Sequence, residues 1–268
     1  MKRFLLLVLL TTPVFATEYG PWFPPLWELQ GRFTALYDKT NFVQSPKGNF
    51  QAPSNDYSIW LELDVTPWPY WHVEGEVYLT HTSEVAFTYQ LSRFSLCYQW
   101  LSDIEGDPIT WNTGITAAFP GGRFLEDFSY TYHGYTNFEF RTSIGKEWAR
   151  EGEWYTRGWA YGGFGIANKG APWVHGLAVW ECKPFSCLEL AIFSEAIYGF
   201  GDQDLEVDEP FEGYGLINHQ FIDLGWFFLI PIGNLANFSF YNWYNVHAHN
   251  FVENYWGVAA TLHIPFSL

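Results

Sequence analysis

Carboxylates recur on one face of the strands that this sequence predicts, and they are its clearest candidates for chemistry. Where apolar and polar residues alternate, the polar face carries eleven acids against four arginines, which are Arg32, Arg93, Arg141 and Arg157. Carboxylates set in a wall of low dielectric concentrate cations and repel anions. This face therefore predicts selection by charge. The acids are Glu28, Glu62, Asp64, Glu74, Glu76, Glu139, Glu147, Glu189, Glu195, Asp223 and Glu253.

Large aromatic residues share that polar face. They narrow any passage along it, and next to polar groups they could form a stacking surface for sugars or nucleosides. The simpler interpretation is that the rings fill space. The aromatic residues concerned are Trp60, Tyr78, Tyr241, Trp243 and Tyr255.

The elements that must position these side chains are β-strands, because successive residues of a strand point to opposite faces. The last 34 residues hold two alternating runs, 235–247 and 251–267. The same pattern predicts about twelve strands, although ten or fourteen remain open, with a bulge or loop near Ser92. The other ten lie near 26–38, 57–66, 70–80, 92–101, 108–119, 136–149, 153–166, 172–182, 186–198 and 218–230.

Connection lengths sort by parity along the predicted strands. The connections after even strands are short, whereas those after odd strands include long segments at 39–56, 120–135 and 199–217. Short turns on one side and long loops on the other are typical of transmembrane barrels. Aromatic residues make up 21% of the chain, which suits a barrel ringed by aromatics at two bilayer interfaces.

In this pattern the chain resembles the bacterial outer-membrane β-barrel superfamily, over nearly all of 17–268 and with no motif that selects a subfamily. The resemblance implies an all-β fold, a single antiparallel transmembrane barrel of about twelve strands. It also implies assembly by the barrel-assembly machinery and residence in the outer membrane of a Gram-negative-type bacterium, among outer-membrane lipids and lipopolysaccharide. The acidic face would then line the lumen, and the apolar face would meet lipid.

The first 16 residues predict a secretory signal peptide, with Lys2 and Arg3 before a short apolar run and a cleavage site after Ala16. The barrel domain would then span 17–268. The formal net charge of −16 argues against a nucleic-acid partner, because that affinity depends on Lys and Arg. No cofactor is expected.

Two further sets of residues could bind or bridge. Cys182 and Cys187 flank a tight link, so a disulfide and a pair of free thiols are both open. Alternating acids in loop 199–217 are weak candidates for a metal site, but the glycine of a calcium loop is missing, and a solvated loop is the simpler interpretation. These acids are Asp202, Asp204, Glu206 and Asp208.

The favoured function is a narrow passive channel for small cationic or neutral solutes. A non-conducting structural or adhesive barrel that uses its long outer loops is the main alternative, followed by a barrel-embedded lipid or peptide hydrolase and a soluble carbohydrate-binding sandwich. The lipase-like pairing of His and Ser is missing, and a protease-like site could be drawn only from Glu253 with His247 or His249. The protein is therefore expected not to be an enzyme.

Overall fold

Alternating strands close into a ring. The structure, a computed structural model, describes residues 19–150, 153–206, 210–233 and 235–267. Each strand pairs antiparallel with its neighbours, and β1 pairs with both β2 and β13 to complete the barrel. The strands are β1 (Glu28–Val43), β2 (Phe50–Trp68), β3 (Trp71–His81), β4 (Thr88–Leu101), β5 (Thr110–Pro120), β6 (Asn137–Arg150), β7 (Glu153–Ala167), β8 (Trp173–Phe185), β9 (Leu188–Gly199), β10 (Gln220–Ile232), β11 (Ala236–His249), β12 (Val252–Glu253) and β13 (Trp256–Ser267).

Twelve of these strands are long, which confirms the predicted all-β barrel. The last predicted strand, 251–267, is interrupted. Asn250 and Asn254 have positive φ values of 50° and 56°, a backbone region that asparagine tolerates better than most residues. The break leaves β12 as a two-residue strand beside the outer end of β1.

The predicted long loop 39–56 is wrong. Strands β1 and β2 continue through most of it and leave only 44–49 as the link. Their pairing shifts register between Thr40 and Phe42, and Pro53 lies in that irregular stretch, where a missing N–H is tolerated. Beyond the bilayer both faces of a strand can meet water, so polar residues there do not alternate with apolar ones.

The bulge predicted near Ser92 is present two residues earlier. Residues Leu91 and Tyr89 pair with Tyr78 and Leu79, so Gln90 is the extra residue of β4. The bulge keeps Gln90 and Arg93 on the inner face despite their odd spacing.

The outward face of the barrel is apolar and exposed. Large side chains such as Leu61, Phe94, Phe140 and Ile192 point away from the lumen. Acids at inward positions, such as Asp64, Glu74 and Glu189, are buried. An apolar outer face and a charged inner face are what contact with hydrocarbon requires. A charge on the lipid face at the bilayer midplane costs about 2–4 kcal/mol for Arg or Lys.

The end of the barrel that bears the long loops is covered. We call segments 121–136, 200–206 and 210–219 the lid, because they pack together at this end, which faces outward in barrels of this kind. Its core includes Leu205, Phe211 and Tyr214, and Tyr214 N donates to Tyr132 O at 2.8 Å. Among the described residues no helix has the length and apolar character to cross a membrane.

Candidate functional site in the barrel lumen

The stretch 19–25, which we call the plug segment, lies inside the barrel. Trp22 is 2% exposed, and its indole nitrogen donates to Asp103 Oδ1 at 2.9 Å. Ser143 donates to the Tyr19 carbonyl at 2.6 Å, and Asn112 donates to the Pro21 carbonyl at 3.1 Å. The segment therefore occupies the lumen toward the short-turn end.

Ion pairs join the inward strands around this segment. Arg32 bonds to Glu62 and, at 2.8 Å, to Asp64. Arg93 contacts Glu76 at 2.6 Å and donates to the Tyr19 hydroxyl at 2.8 Å. Each of these acids has its compensating cation on the same or a neighbouring strand.

The most buried pair belongs to Arg157. The arginine is 1% exposed, and Glu181, its partner, is 0% exposed. Arg157 also reaches Glu189 at 3.3 Å, and its guanidinium lies 4.4 Å from the Trp154 ring centroid and 5.0 Å from that of Trp22. Buried charges are tolerated only when they are paired in this way. We call these three arginines and their five acids the braced network.

Arg141 and His175 extend the pairing toward the outer end. Arg141 lies 3.4 Å from Ser95 Oγ and stacks on Tyr19 and Tyr161. His175 bridges Glu139 at 3.5 Å and Glu195 at 2.9 Å.

An apolar cavity of about 230 Å³ lies beside the plug segment. We call it the inner cavity. Its walls come from β1, β2, β7 to β11 and β13, and they are mainly aromatic and aliphatic. They include Trp159, Phe193, Phe227, Tyr241 and Trp243, with Arg32 and Glu62 as the ion pair at the edge.

A second cavity, of about 280 Å³, lies under the lid. We call it the outer chamber. Four carboxylates line it, and among the described residues no Lys, Arg or His does so. Trp60, Glu195, Asp223 and Trp243 border both cavities, so the two spaces adjoin. The carboxylates are Asp38, Asp56, Glu195 and Asp223.

The lid roofs this chamber through residues 129–132. Tyr130 donates to Asp56 at 3.4 Å, and Gln90 donates to the Tyr132 hydroxyl at 2.8 Å. Burial, reinforced by the Asp56 and Asp38 carboxylates, raises the pKa of Tyr130 well above its usual range. The hydroxyl therefore stays protonated and serves as a donor to Asp56.

The structure places most of the predicted lumen residues inward. Glu62, Asp64, Glu76 and Glu189 belong to the braced network, and Glu74 lies 3.9 Å from His72. Tyr78 bonds to Glu76, and its ring lies tilted against that of Trp60 with the centroids 4.7 Å apart. The other predicted residues are already placed above: Glu139, Arg141, Glu195, Asp223, Trp60, Tyr241 and Trp243. Tyr255 lines the outer chamber and donates to Asp223.

The predicted lumen position of Glu253 is wrong. This residue pairs with Phe42, whose side chain is exposed, and it accepts a hydrogen bond from Asn49 at the outer rim. The positive φ of Asn254 breaks the phase of the strand between Glu253 and the inward Tyr255. His247, the nominated partner for catalysis, is also exposed and pairs with Ile222 after a bulge at Val246.

The possible disulfide is not formed, since Cys182 and Cys187 are both free thiols. Cys182 faces Leu190 across the hairpin, whereas Cys187 lies in the turn after Phe185, so the two do not face one another. The weak metal candidates do not converge either. Asp208 lies outside the described residues, and among those described no three His, Cys, Asp or Glu side chains could share a metal ion.

Sequence reasoning missed several lumen residues. Glu181 lies on a strand with apolar residues on both faces, so alternation gave no phase for it. Asp38 and Asp56 fell at or beyond the predicted strand ends. The plug segment shows no alternation of apolar and polar residues. The only sequence signal for it is its high density of Pro and aromatic residues after the predicted leader. The leader itself, 1–16, lies outside the described residues.

Comparisons with known proteins agree on architecture. No family model and no curated protein matches the sequence. An outer-membrane channel from Pseudomonas putida F1 has a similar structure, with 10% identity, a TM-score of 0.62, and coverage of 94% of this chain and 100% of that one. The translocator domain of the autotransporter NalP from Neisseria meningitidis is 8% identical, with a TM-score of 0.47 over 90% of this chain and 88% of that one. The closed ring, its inward charges and the first of these similarities show that the protein has the fold of the bacterial outer-membrane β-barrels.

Proposed function

We propose that the protein is a narrow outer-membrane channel that admits small cationic or neutral solutes through an acidic lumen. The observation that carries this proposal is the outer chamber, where four carboxylates meet with no Lys, Arg or His among the described lining residues. One of them, Glu195, pairs with His175 at 2.9 Å. A solute from outside would reach these acids before it reached the arginines of the braced network. The local negative potential raises the concentration of cations there.

The braced network has a different role in this proposal. Its three arginines offset three of the five acidic charges, so that this part of the lumen attracts cations less than the number of its acids would suggest. Selection by charge would occur in the outer chamber, and selection by size would occur between Trp60 and Trp243, where the two cavities adjoin.

Passage requires movement of the lid and of the plug segment. The lid is held over the chamber by Tyr130 and Tyr132, and the plug segment is held by polar contacts rather than by strand pairing. Loops and such segments are the parts of a protein that open at low free-energy cost. The same covering favours one competing function, a closed structural barrel that conducts nothing.

Planar-bilayer recording separates these two. In a KCl gradient the purified protein should give discrete current steps with a reversal potential that shows preference for K⁺. Asp38→Asn/Asp223→Asn should reduce that preference, while Asp202→Asn, the same chemical change on an exposed loop residue, should leave it unchanged. Silence at all voltages would favour the closed barrel. An unaltered reversal potential in the double variant would contradict the role of the outer chamber.

A further inference from the structure

The outer chamber contains polar atoms that the protein itself does not satisfy. Asp38 Oδ1 and Trp60 Nε1 are both shielded from solvent and have no hydrogen-bond partner among the described residues. Both residues line the chamber. A buried polar group without a partner costs free energy, so Asp38 Oδ1 indicates a guest that donates a hydrogen bond to it, whereas Trp60 Nε1, itself a donor, is not satisfied by such a group. Asp38 Oδ1 requires a donor.

The backbone makes specific room for this arrangement. A Cβ atom on Gly257 would lie 2.0 Å from Asp38 Oδ1 and 2.2 Å from the Trp243 ring. Only the missing side chain of Gly257 lets the carboxylate and the indole approach β13 together. The acid and the aromatic ring are therefore placed side by side by the fold.

The chamber is unsuited to a divalent metal ion. Its carboxylates do not form a group of three that could share one ion, among the residues that the structure describes, whereas hard divalent cations take six or more oxygen ligands at short range. The aromatic walls favour a different kind of cation. Trp60, Trp243 and Tyr255 present rings beside Asp38 and Asp223, and such rings attract organic ammonium groups by cation–π contact.

The adjoining inner cavity continues the same surface with apolar walls. Phe193, Phe227 and Val179 line it beyond the border formed by Trp60 and Trp243. Its volume of about 230 Å³ accommodates a hydrocarbon or aromatic group. The two cavities together offer an acidic end and a mainly aromatic and aliphatic end, where Arg32 is paired with Glu62.

We infer that the lumen binds an organic ammonium compound with an apolar body. Its ammonium group lies in the outer chamber against Asp38 and Asp223, and its body extends past Trp60 and Trp243 into the inner cavity. This inference rests on the proposed function for its entry route and names the class of solute. It distinguishes a binding chamber for amphiphilic amines from a passage for inorganic ions.

Isothermal titration of the detergent-solubilised full chain tests it with benzylammonium as the probe. Benzyl alcohol and benzoate, which keep the ring and change the charge, are the matched ligands. Benzylammonium should bind saturably, with benzyl alcohol at least tenfold weaker and benzoate not detected. Equal affinity for the amine and the alcohol would overturn the inference, because the cavity would then recognise only the ring.

Variants locate the binding. Asp38→Asn/Asp223→Asn and, separately, Trp243→Ala should each weaken benzylammonium by about tenfold or more, while Asp202→Asn should bind as the wild type does. Trp243→Phe, which keeps a ring, should lose less than Trp243→Ala and guards against loss of folding. Unchanged affinity in folded variants at both positions would place the ligand elsewhere and overturn the assignment.

Failure of the binding site and failure of the proposed channel function give different results. Saturable benzylammonium binding by a barrel that passes no current would retain the site and remove the channel. Cation-selective current without discrimination between benzylammonium and benzyl alcohol would retain the channel and overturn the site.

Discussion

The braced network and the outer chamber hold similar numbers of carboxylates in one lumen, yet they differ in what stands opposite the acids. In the braced network Arg32, Arg93 and Arg157 contact every acid that defines it. In the outer chamber no described basic residue lines the wall, and of its four acids Glu195 alone is seen to pair with a base among the described residues, His175 at 2.9 Å. Acidity alone therefore does not mark a site. What marks it is negative charge that the fold leaves uncompensated.

Removing a cation from the braced network should have the largest effect. Arg157→Met leaves Glu181 and Glu189 buried without their partner, and breaking a buried pair in this way costs about 3–5 kcal/mol. Urea unfolding of the detergent-solubilised barrel should show that loss.

Removing a charge from the outer chamber should affect stability much less. Asp38→Asn removes a charge that has no basic partner in the lining, so its free energy of unfolding should stay within about 1 kcal/mol of the wild type. A loss for Asp38→Asn as large as that for Arg157→Met would abolish the distinction between the two regions.

Loosening the plug segment should raise the conductance. Trp22→Ala removes the side chain that contacts both Asp103 and Arg157, so the segment should leave the lumen more often. Single-channel recording should show at least a twofold rise in mean conductance. Trp27→Ala, at a residue that is 50% exposed, is the control. A conductance that stays at the wild-type value with Trp22→Ala would mean that the plug segment does not limit passage.

Acid should loosen the lid by a smaller amount. Burial lowers the pKa of His219 to about 4, below the value of about 6.5 in an unfolded chain. The unfolded lid therefore binds the proton first, and the stabilisation is complete above about pH 6.5 and falls as the pH drops toward 4.

Between pH 7 and pH 5 the lid should lose about 2 kcal/mol from this residue. Burial also lowers the pKa of His133, which adds to the same trend. Hydrogen exchange across 200–219 should accelerate on acidification, and His219→Gln should flatten the response. Exchange that slows as the pH falls, after correction for intrinsic rates, would reverse the predicted sign.

The smallest effect belongs to the cysteines. Because Cys182 and Cys187 are free, Cys182→Ser/Cys187→Ser should change the free energy of unfolding by less than about 0.5 kcal/mol in oxidising buffer. A loss of several kcal/mol that disappears under reduction would show that the two thiols do form a bridge.

The strands were predictable because each one meets hydrocarbon on one face and the lumen on the other. Apolar and polar residues therefore alternate, as Leu61 and Glu62 do. That constraint ends where the strands leave the bilayer, so the outer parts of β1 and β2 were assigned to a loop. It also fails at Glu181, where inward Val179 and outward Trp180 are both apolar.

The candidate site was predictable only in part. Alternation identified the acids and aromatic rings that face inward, including Asp223 and Trp243. It could not show which acids are compensated, because Arg157 and Glu181 meet across strands and the plug segment enters from outside any strand. Charge balance is a property of the closed ring rather than of any single strand.

Rubidium located by anomalous diffraction would show whether the outer chamber binds cations while the braced acids do not. Crystals grown in rubidium chloride should show a site in the outer chamber beside Asp38 and Asp223, and none within reach of Glu62, Glu76 or Glu181, whose charge is already offset. Rubidium beside the braced acids, or an outer chamber that holds none at saturating concentration, would contradict the account.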